Sequence, residues 1–222
     1  MGDASRDGEP ANSEKQAALG GEFFLKYDQD RMVERFGLES DDRFIYVGYI
    51  DDSFRIDRET SLLDVCCGDG RWESYGDPYT ALVIYDMLCH FQDQEGDPAF
   101  SGEFCLSSGL TSMVLDPAPF KGLSQLDVLA GHADDLAEAC ERMGGKPREG
   151  ATHADFAYTI PVFDWFDTIF EFWDGDDEFE PQANFFWDRN TLLFMHYETL
   201  AYVRRDILKK AWPGIKVYPE YR

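Results

Sequence analysis

Positive charge, paired-cysteine spacings and long apolar runs are all scarce in this chain, and each scarcity removes a class of function. Only 20 Lys and Arg stand against 44 Asp and Glu, a net charge of −24 over 222 residues. Such a field repels phosphate backbones, and no Lys/Arg stripe interrupts it, so the sequence argues against nucleic-acid binding. The same acidity would favour a divalent cation or a basic protein partner, and it also serves simply to keep a surface hydrated. The five cysteines include no C-x-x-C pair, and Cys66-Cys67 are adjacent, a spacing that rarely bridges with itself. An odd count without ligand spacing points to buried thiols in a reducing, cytoplasmic setting, and away from a disulfide framework, an iron–sulfur site or a structural zinc. No apolar run approaches the roughly 18 residues of a membrane span, so no membrane role is expected. The first residues, MGDASRDGEPANSEK, lack the basic and apolar regions of a signal peptide. Their Met-Gly start does not make a myristoylation site, because Arg6 stands where Ser or Thr is needed.

Aromatic residues, by contrast, are abundant: 18 Phe, 11 Tyr and 5 Trp, enough large side chains to build a core without disulfides. The length suits one domain over residues 13–222 behind a polar tail, 1–12, whose composition predicts disorder. A helical period runs from Ser13 to Phe36, weakened at Gly20-Gly21, with Gly37 as its stop. Phe44–Ile50 reads as a strand, Asp51-Asp52-Ser53 as a turn, and Phe54–Asp57 and Leu62–Cys66 as further strands. Asp77-Pro78 is an N-cap followed by proline at the first helical position. The helix after it, Tyr79 to Gln92, is apolar nearly all round and is therefore expected at the centre of the core. Phe104–Leu106 and Ser112–Leu115 are short strand candidates. Ser124 with Asp127 resembles a capping box for a helix running to Met143, stopped by Gly144-Gly145. Ala154–Ile160, Phe166–Trp173 and Ala183–Trp187 read as strands, the last two as antiparallel neighbours, and Leu192–Met195 as one strand more. A final amphipathic helix carries Leu200, Val203, Ile207, Leu208 and Ala211. Strand runs separated by three or four helices, without regular βα alternation, indicate an α+β fold with a mainly antiparallel sheet.

The densest chemistry lies in Asp174-Gly175-Asp176-Asp177-Glu178-Phe179-Glu180-Pro181, with five carboxylates in seven residues. Charges this crowded require solvent, backbone N–H donors, a basic partner group or a cation. Asp174, Asp176, Asp177 and Glu178 are the candidate metal ligands, with Trp173, Phe179 and Trp187 as candidate pocket walls. The loop fails the EF-hand template, because Phe179 occupies the position of the required glycine. The plain alternative is a turn in which Asp174 and Asp176 accept backbone N–H groups.

Two other patterns compete. Leu62–Arg71, LLDVCCGDGR, resembles the glycine-rich first motif of S-adenosylmethionine-dependent methyltransferases, but Cys66 replaces the first glycine. The following helix is cut short, and Asp86 lies within a helix rather than at a strand end, so the context is missing. The four histidines, His90, His132, His153 and His196, are scattered. His196-Tyr197-Glu198 has the His-x-Glu of zinc deaminases without the Pro-Cys-x-x-Cys half. No Gly-x-Ser-x-Gly elbow or Walker loop is present, and no catalytic triad can be assembled.

From Phe44 to Leu208 the chain resembles the family named domain of unknown function 3786, found mainly in anaerobic bacteria and archaea. The resemblance is carried by the apolar helix ALVIYDMLCHF, by Gly102-Glu103-Phe104, and by IPVFDWFDTIFEFWDGDDEFEPQANFFWD leading into the Tyr197–Leu208 helix. In the last block Pro161, Trp173, Gly175, Asp176, Glu178, Phe179, Pro181, Trp187 and Asp188 follow the family pattern. Glu180 is an insertion before the proline, and Trp187 stands where Phe is usual. The resemblance implies no established activity. Some relatives carry a separate iron–sulfur domain that this chain lacks, so it implies no redox role either. The functional expectation is a cytoplasmic binding or accessory module. A metal-dependent enzyme using loop 174–180 is the alternative, and a methyltransferase the second.

Overall fold

The computed structural model describes residues 12–111, 126–148, 154–176 and 178–217. Five α-helices accompany two antiparallel sheets that pack together, an α+β fold. The elements are α1 (Asn12–Phe24), α2 (Gln29–Phe36), β1 (Phe44–Tyr49), β2 (Asp52–Asp57), β3 (Leu63–Cys66), β4 (Trp72–Ser74) and α3 (Pro78–Cys89). They continue with β5 (Phe104–Leu106), α4 (Ala133–Arg142), β6 (Lys146–Pro147), β7 (Phe156–Phe163), β8 (Phe166–Trp173), β9 (Gln182–Asp188) and α5 (Thr199–Ala211). One sheet runs β1-β2-β3-β4 and the other β5-β9-β8-β7-β6. β8 and β9 are antiparallel neighbours, as their period-two aromatics predict, with Phe170 opposite Phe185 and Phe172 opposite Ala183.

Several boundaries differ from the sequence expectation, each for a local reason. The helical period 13–36 is two helices, which accounts for five where three or four were expected. The break is at Asp28 rather than at Gly20-Gly21, because the Asp28 carboxylate caps α2 by accepting the Arg31 N–H at 3.0 Å. The two glycines instead allow close contact: a Cβ at Gly20 would lie 3.1 Å from the Tyr85 ring, and one at Gly21 2.6 Å from Ser61 Oγ. The β1–β2 turn is Ile50-Asp51, with φ of 40° and 59°, a two-residue turn of the type I′ sense. Ile50 tolerates a conformation costly for a β-branched residue because it is buried and its N–H donates to Val162 O at 3.0 Å, tying one sheet to the other. Leu192–Met195 is not a strand; Thr191–Leu193 forms a 3-10 turn. The helix expected from Ser124 begins only at Ala133, after a 3-10 turn at Leu126–Leu129 and Gly131 with φ 77°. It ends as expected: Gly145 N donates to Cys140 O and Gly144 N to Glu141 O, a Schellman closure. The expectations for residues 1–11, Ser112–Leu115 and Ser124 lie outside the described residues.

The methyltransferase-like segment folds as an antiparallel hairpin. Cys66 pairs with Trp72, and Cys67 N donates to Arg71 O, so residues 67–71 are the turn between β3 and β4. A cofactor glycine loop requires a strand-to-helix turn in a parallel sheet, and that geometry is not present here.

α3 is buried on nearly every side, including Val83, Ile84, Met87 and Leu88. It packs on α1 and α5. A buried polar cluster joins its start to the middle of α5. Arg205 bonds both Asp206 Oδ1 and, at 2.6 Å, Asp77 Oδ2, while Asp206 Oδ2 accepts from Tyr49 OH and Thr80 Oγ1 at 2.9 Å each. Burial pushes the Asp206 carboxyl up, against the pull of Arg205 and the two hydroxyls. Arg205 is 1% exposed, so its removal strands buried carboxylates. Arg205→Met should therefore cost about 3–5 kcal/mol in urea unfolding. The more exposed Lys210, paired with Asp51 and Asp52, should cost no more than about 1 kcal/mol on replacement by Met.

Candidate functional site

The residues that chemistry would use meet where α3 ends and α5 begins. Asp86 lies in the last turn of α3, and His90 follows four residues later at the start of a 3-10 turn, so both project from one side of the helix. His196 belongs to the connection that leads into α5. Asp86 holds that connection in place: its Oδ2 accepts the His196 N–H at 2.7 Å and the Thr199 hydroxyl at 2.5 Å. Its Oδ1 lies 2.7 Å from His196 Nδ1. The two imidazole rings are 4.2 Å apart between centroids.

One donor atom from each of Asp86, His90 and His196 lies within 4.8 Å of the other two. On a tetrahedral ion with bonds of 2.0–2.1 Å two donors stand about 3.4 Å apart, so a gap of up to 4.8 Å must close by up to about 1.4 Å. Rotation of the His196 side chain, which is 63% exposed, can supply this. His90 is prepared differently. Its Nε2 faces two groups that ask opposite roles of it, Leu192 O at 3.3 Å, which only accepts, and the Gln94 amide nitrogen at 3.2 Å, which only donates. Its Nδ1 is buried with no hydrogen-bond partner among the described residues. Burial, and then the neighbouring His196, push the His90 pKa down, which favours the neutral ring a metal needs. His196 is pushed up, first by its hydrogen bond to Asp86 and further by the charges of Asp86, Glu198 and Asp93, against burial.

The three residues lie in a cleft of 570 Å³ between α1, α3 and the start of α5. Leu19 and Phe23 of α1, Leu82 and Tyr85 of α3 and Tyr202 of α5 form its apolar walls. Asp93, Glu198 and Tyr27 are its polar members, with Tyr27 OH donating to Asp93 at 2.5 Å. That bond, with burial, pushes the Tyr27 pKa to about 12, so the phenol remains a donor. Burial pushes the neighbouring Cys89 thiol up and leaves it unreactive.

The acidic loop is built as a turn. Asp174 accepts the Gly131 N–H at 2.6 Å, and its own N–H donates to Asp155 at 2.7 Å. Asp176 Oδ1 accepts from Glu178 N at 2.8 Å and Phe179 N at 2.9 Å. Gly175 has φ 79°, and a Cβ there would meet Phe179 O at 2.7 Å. Glu178 joins this turn through its backbone, and Asp177 lies outside the described residues. Among the described residues the loop does not bring three ligand atoms together. Its aromatics do not share a wall either: Phe179 is 65% exposed and Trp187 fully buried. Among the other histidines, His132 pairs with Asp135 at 2.9 Å on the surface, and His153 lies outside the described residues.

The signal for the cleft was the Asp86-x-x-x-His90 spacing within a helical period. Alone it is an ordinary pair, because the third ligand is far away in sequence and reaches it only by packing. Asp176→Ala should lower stability by about 1 kcal/mol, since two N–H groups lose their acceptor. Asp176→Asn should retain most of it, because the amide oxygen still accepts; paired urea titrations check both.

No curated protein and no solved structure matches the chain. The family model described as Domain of unknown function (DUF3786) matches residues 28–210, from the α2 cap to the last turn of α5. That span contains Asp86, His90, His196 and the acidic loop. By this match over more than three quarters of its length, the chain belongs to the DUF3786 family.

Proposed function

We propose that this domain is a binding module for a divalent transition-metal ion, held by Asp86, His90 and His196 at the mouth of the α1–α3–α5 cleft. The observation that carries the reading is the cluster itself: one ligand atom from each of Asp86, His90 and His196 lies within 4.8 Å of the other two, and His90 also holds a buried nitrogen with no hydrogen-bond partner among the described residues. Two nitrogens and one oxygen suit zinc with an open fourth position, or iron in a two-histidine, one-carboxylate arrangement. Asp86 serves both as ligand and as the group that orients His196, which is the role of an outer-shell carboxylate brought inward. Binding is preferred to catalysis because the cleft supplies no activated nucleophile: Cys89 is held as a thiol and Tyr27 as a phenol. A cytoplasmic setting agrees with five free cysteines, and no helix among the described residues is long and apolar enough to cross a membrane. The charge of −24 supports a cationic ligand over nucleic acid.

Metal-stripped protein titrated with Co²⁺ should develop visible ligand-field absorption, which Zn²⁺ abolishes by competition. The melting temperature should rise with ion concentration, by mass action. Outer-shell substitutions alone cost 10–100-fold in metal affinity, so His90→Gln, His196→Ala and Asp86→Asn should each weaken binding by at least about 100-fold. Asp176→Asn with Glu178→Gln should leave it unchanged. Binding that survives His196→Ala, or that is lost with the loop substitutions, would move the site elsewhere.

A further inference from the structure

The cleft is larger than an ion requires, and its volume of 570 Å³ falls in the range of small-molecule sites. Its lining combines three carboxylates, Asp86, Asp93 and Glu198, with no Lys or Arg among the described residues, beside aromatic and aliphatic walls. Asp93 and Glu198 have no ion-pair partner among the described residues. A divalent ion on the triad sets two positive charges against three negative, so the lining remains negative with or without metal. Phe23 and Leu19, which line this cleft, are 45% and 48% exposed, apolar area that no described element covers.

We infer that the cleft binds an organic ammonium ion with an apolar body, its chain against Phe23, Leu82 and Tyr202 and its head beside Asp93 and Glu198. An anion of the same shape meets uncompensated carboxylates, and a neutral molecule gains only the apolar contact. An ammonium gains both, with added attraction from the ring faces. Phe23 already receives such a group, since Lys26 Nζ lies 5.2 Å from its ring centroid. The size of the cleft favours a free amine over a folded partner. The inference stands on the lining and does not require the metal site, although a bound ion would lower the net attraction.

Three probes of equal length, n-hexylammonium, hexanoate and hexanol, test it by saturation-transfer NMR and calorimetry on metal-stripped and Zn²⁺-loaded protein. Hexylammonium should bind saturably, hexanol more weakly and hexanoate not at all. Asp93→Asn keeps the Tyr27 acceptor and Glu198→Gln is exposed, so both should fold. Each should weaken the amine by roughly 5- to 10-fold, the worth of one near-surface charge pair. Phe23→Ser should weaken hexylammonium and hexanol together. Equal binding of hexanoate, or amine affinity indifferent to both carboxylate substitutions, overturns the inference. Metal binding without amine binding defeats this inference alone, and amine binding without metal binding defeats the metal reading alone.

Discussion

Arg205 is the charge around which the rest is arranged. It is buried in the middle of α5 and bonded to Asp206 beside it and to Asp77, the N-cap of α3. Its field is matched by two carboxylates, and Asp206 is in turn bonded by Tyr49 of β1 and Thr80 of α3. One buried cation therefore fixes three elements that are distant in sequence: the β1–β2 sheet, the start of α3 and the middle of α5. Removing Arg205 leaves Asp206 buried without its compensating charge, so the cluster depends on that one cation.

The opposite end of the same helix pair carries the candidate site. Asp77 at the start of α3 meets the middle of α5, while Asp86 near the end of α3 meets His196 and Thr199 at the start of α5. The helices run antiparallel and are clamped by a carboxylate at each end. The structural clamp is closed, since Arg205 provides the positive charge. At the other, Asp86 is met by His196 and the Thr199 hydroxyl, with His90, Asp93 and Glu198 nearby, and this excess of negative charge supports the proposed cation site. α1 completes the cleft because Gly20 and Gly21 let it approach Tyr85 and Ser61 closely.

The acidic loop shows how a conspicuous sequence feature can be consumed by folding. Asp174 and Asp176 bind backbone N–H groups, and Gly175 occupies a left-handed turn that a side chain could not share with Phe179 O. Those donors compensate two of the loop's carboxylates, Asp174 and Asp176. Asp86 is less conspicuous, one acid inside an apolar helix, and burial among hydrophobic neighbours is what gives its contacts weight.

Local chemistry determined much of this protein. Period-two aromatics set β8 and β9, all-round apolarity set the burial of α3, Asp77-Pro78 set its start, and Gly37 and Gly144 set helix ends, because each acts within a few residues. The α+β class and the family blocks were legible for the same reason. Capping competition at Asp28, the Ile50-Asp51 turn and the 3-10 turn at Thr191–Leu193 were not, since hydrogen bonds and packing from elsewhere selected them over propensity. The site was the least legible part. Asp86 and His90 are neighbours on a helix, but His196 joins them only because the Arg205 cluster and the Asp86 hydrogen bonds dock α5 against α3, an arrangement that no periodicity encodes.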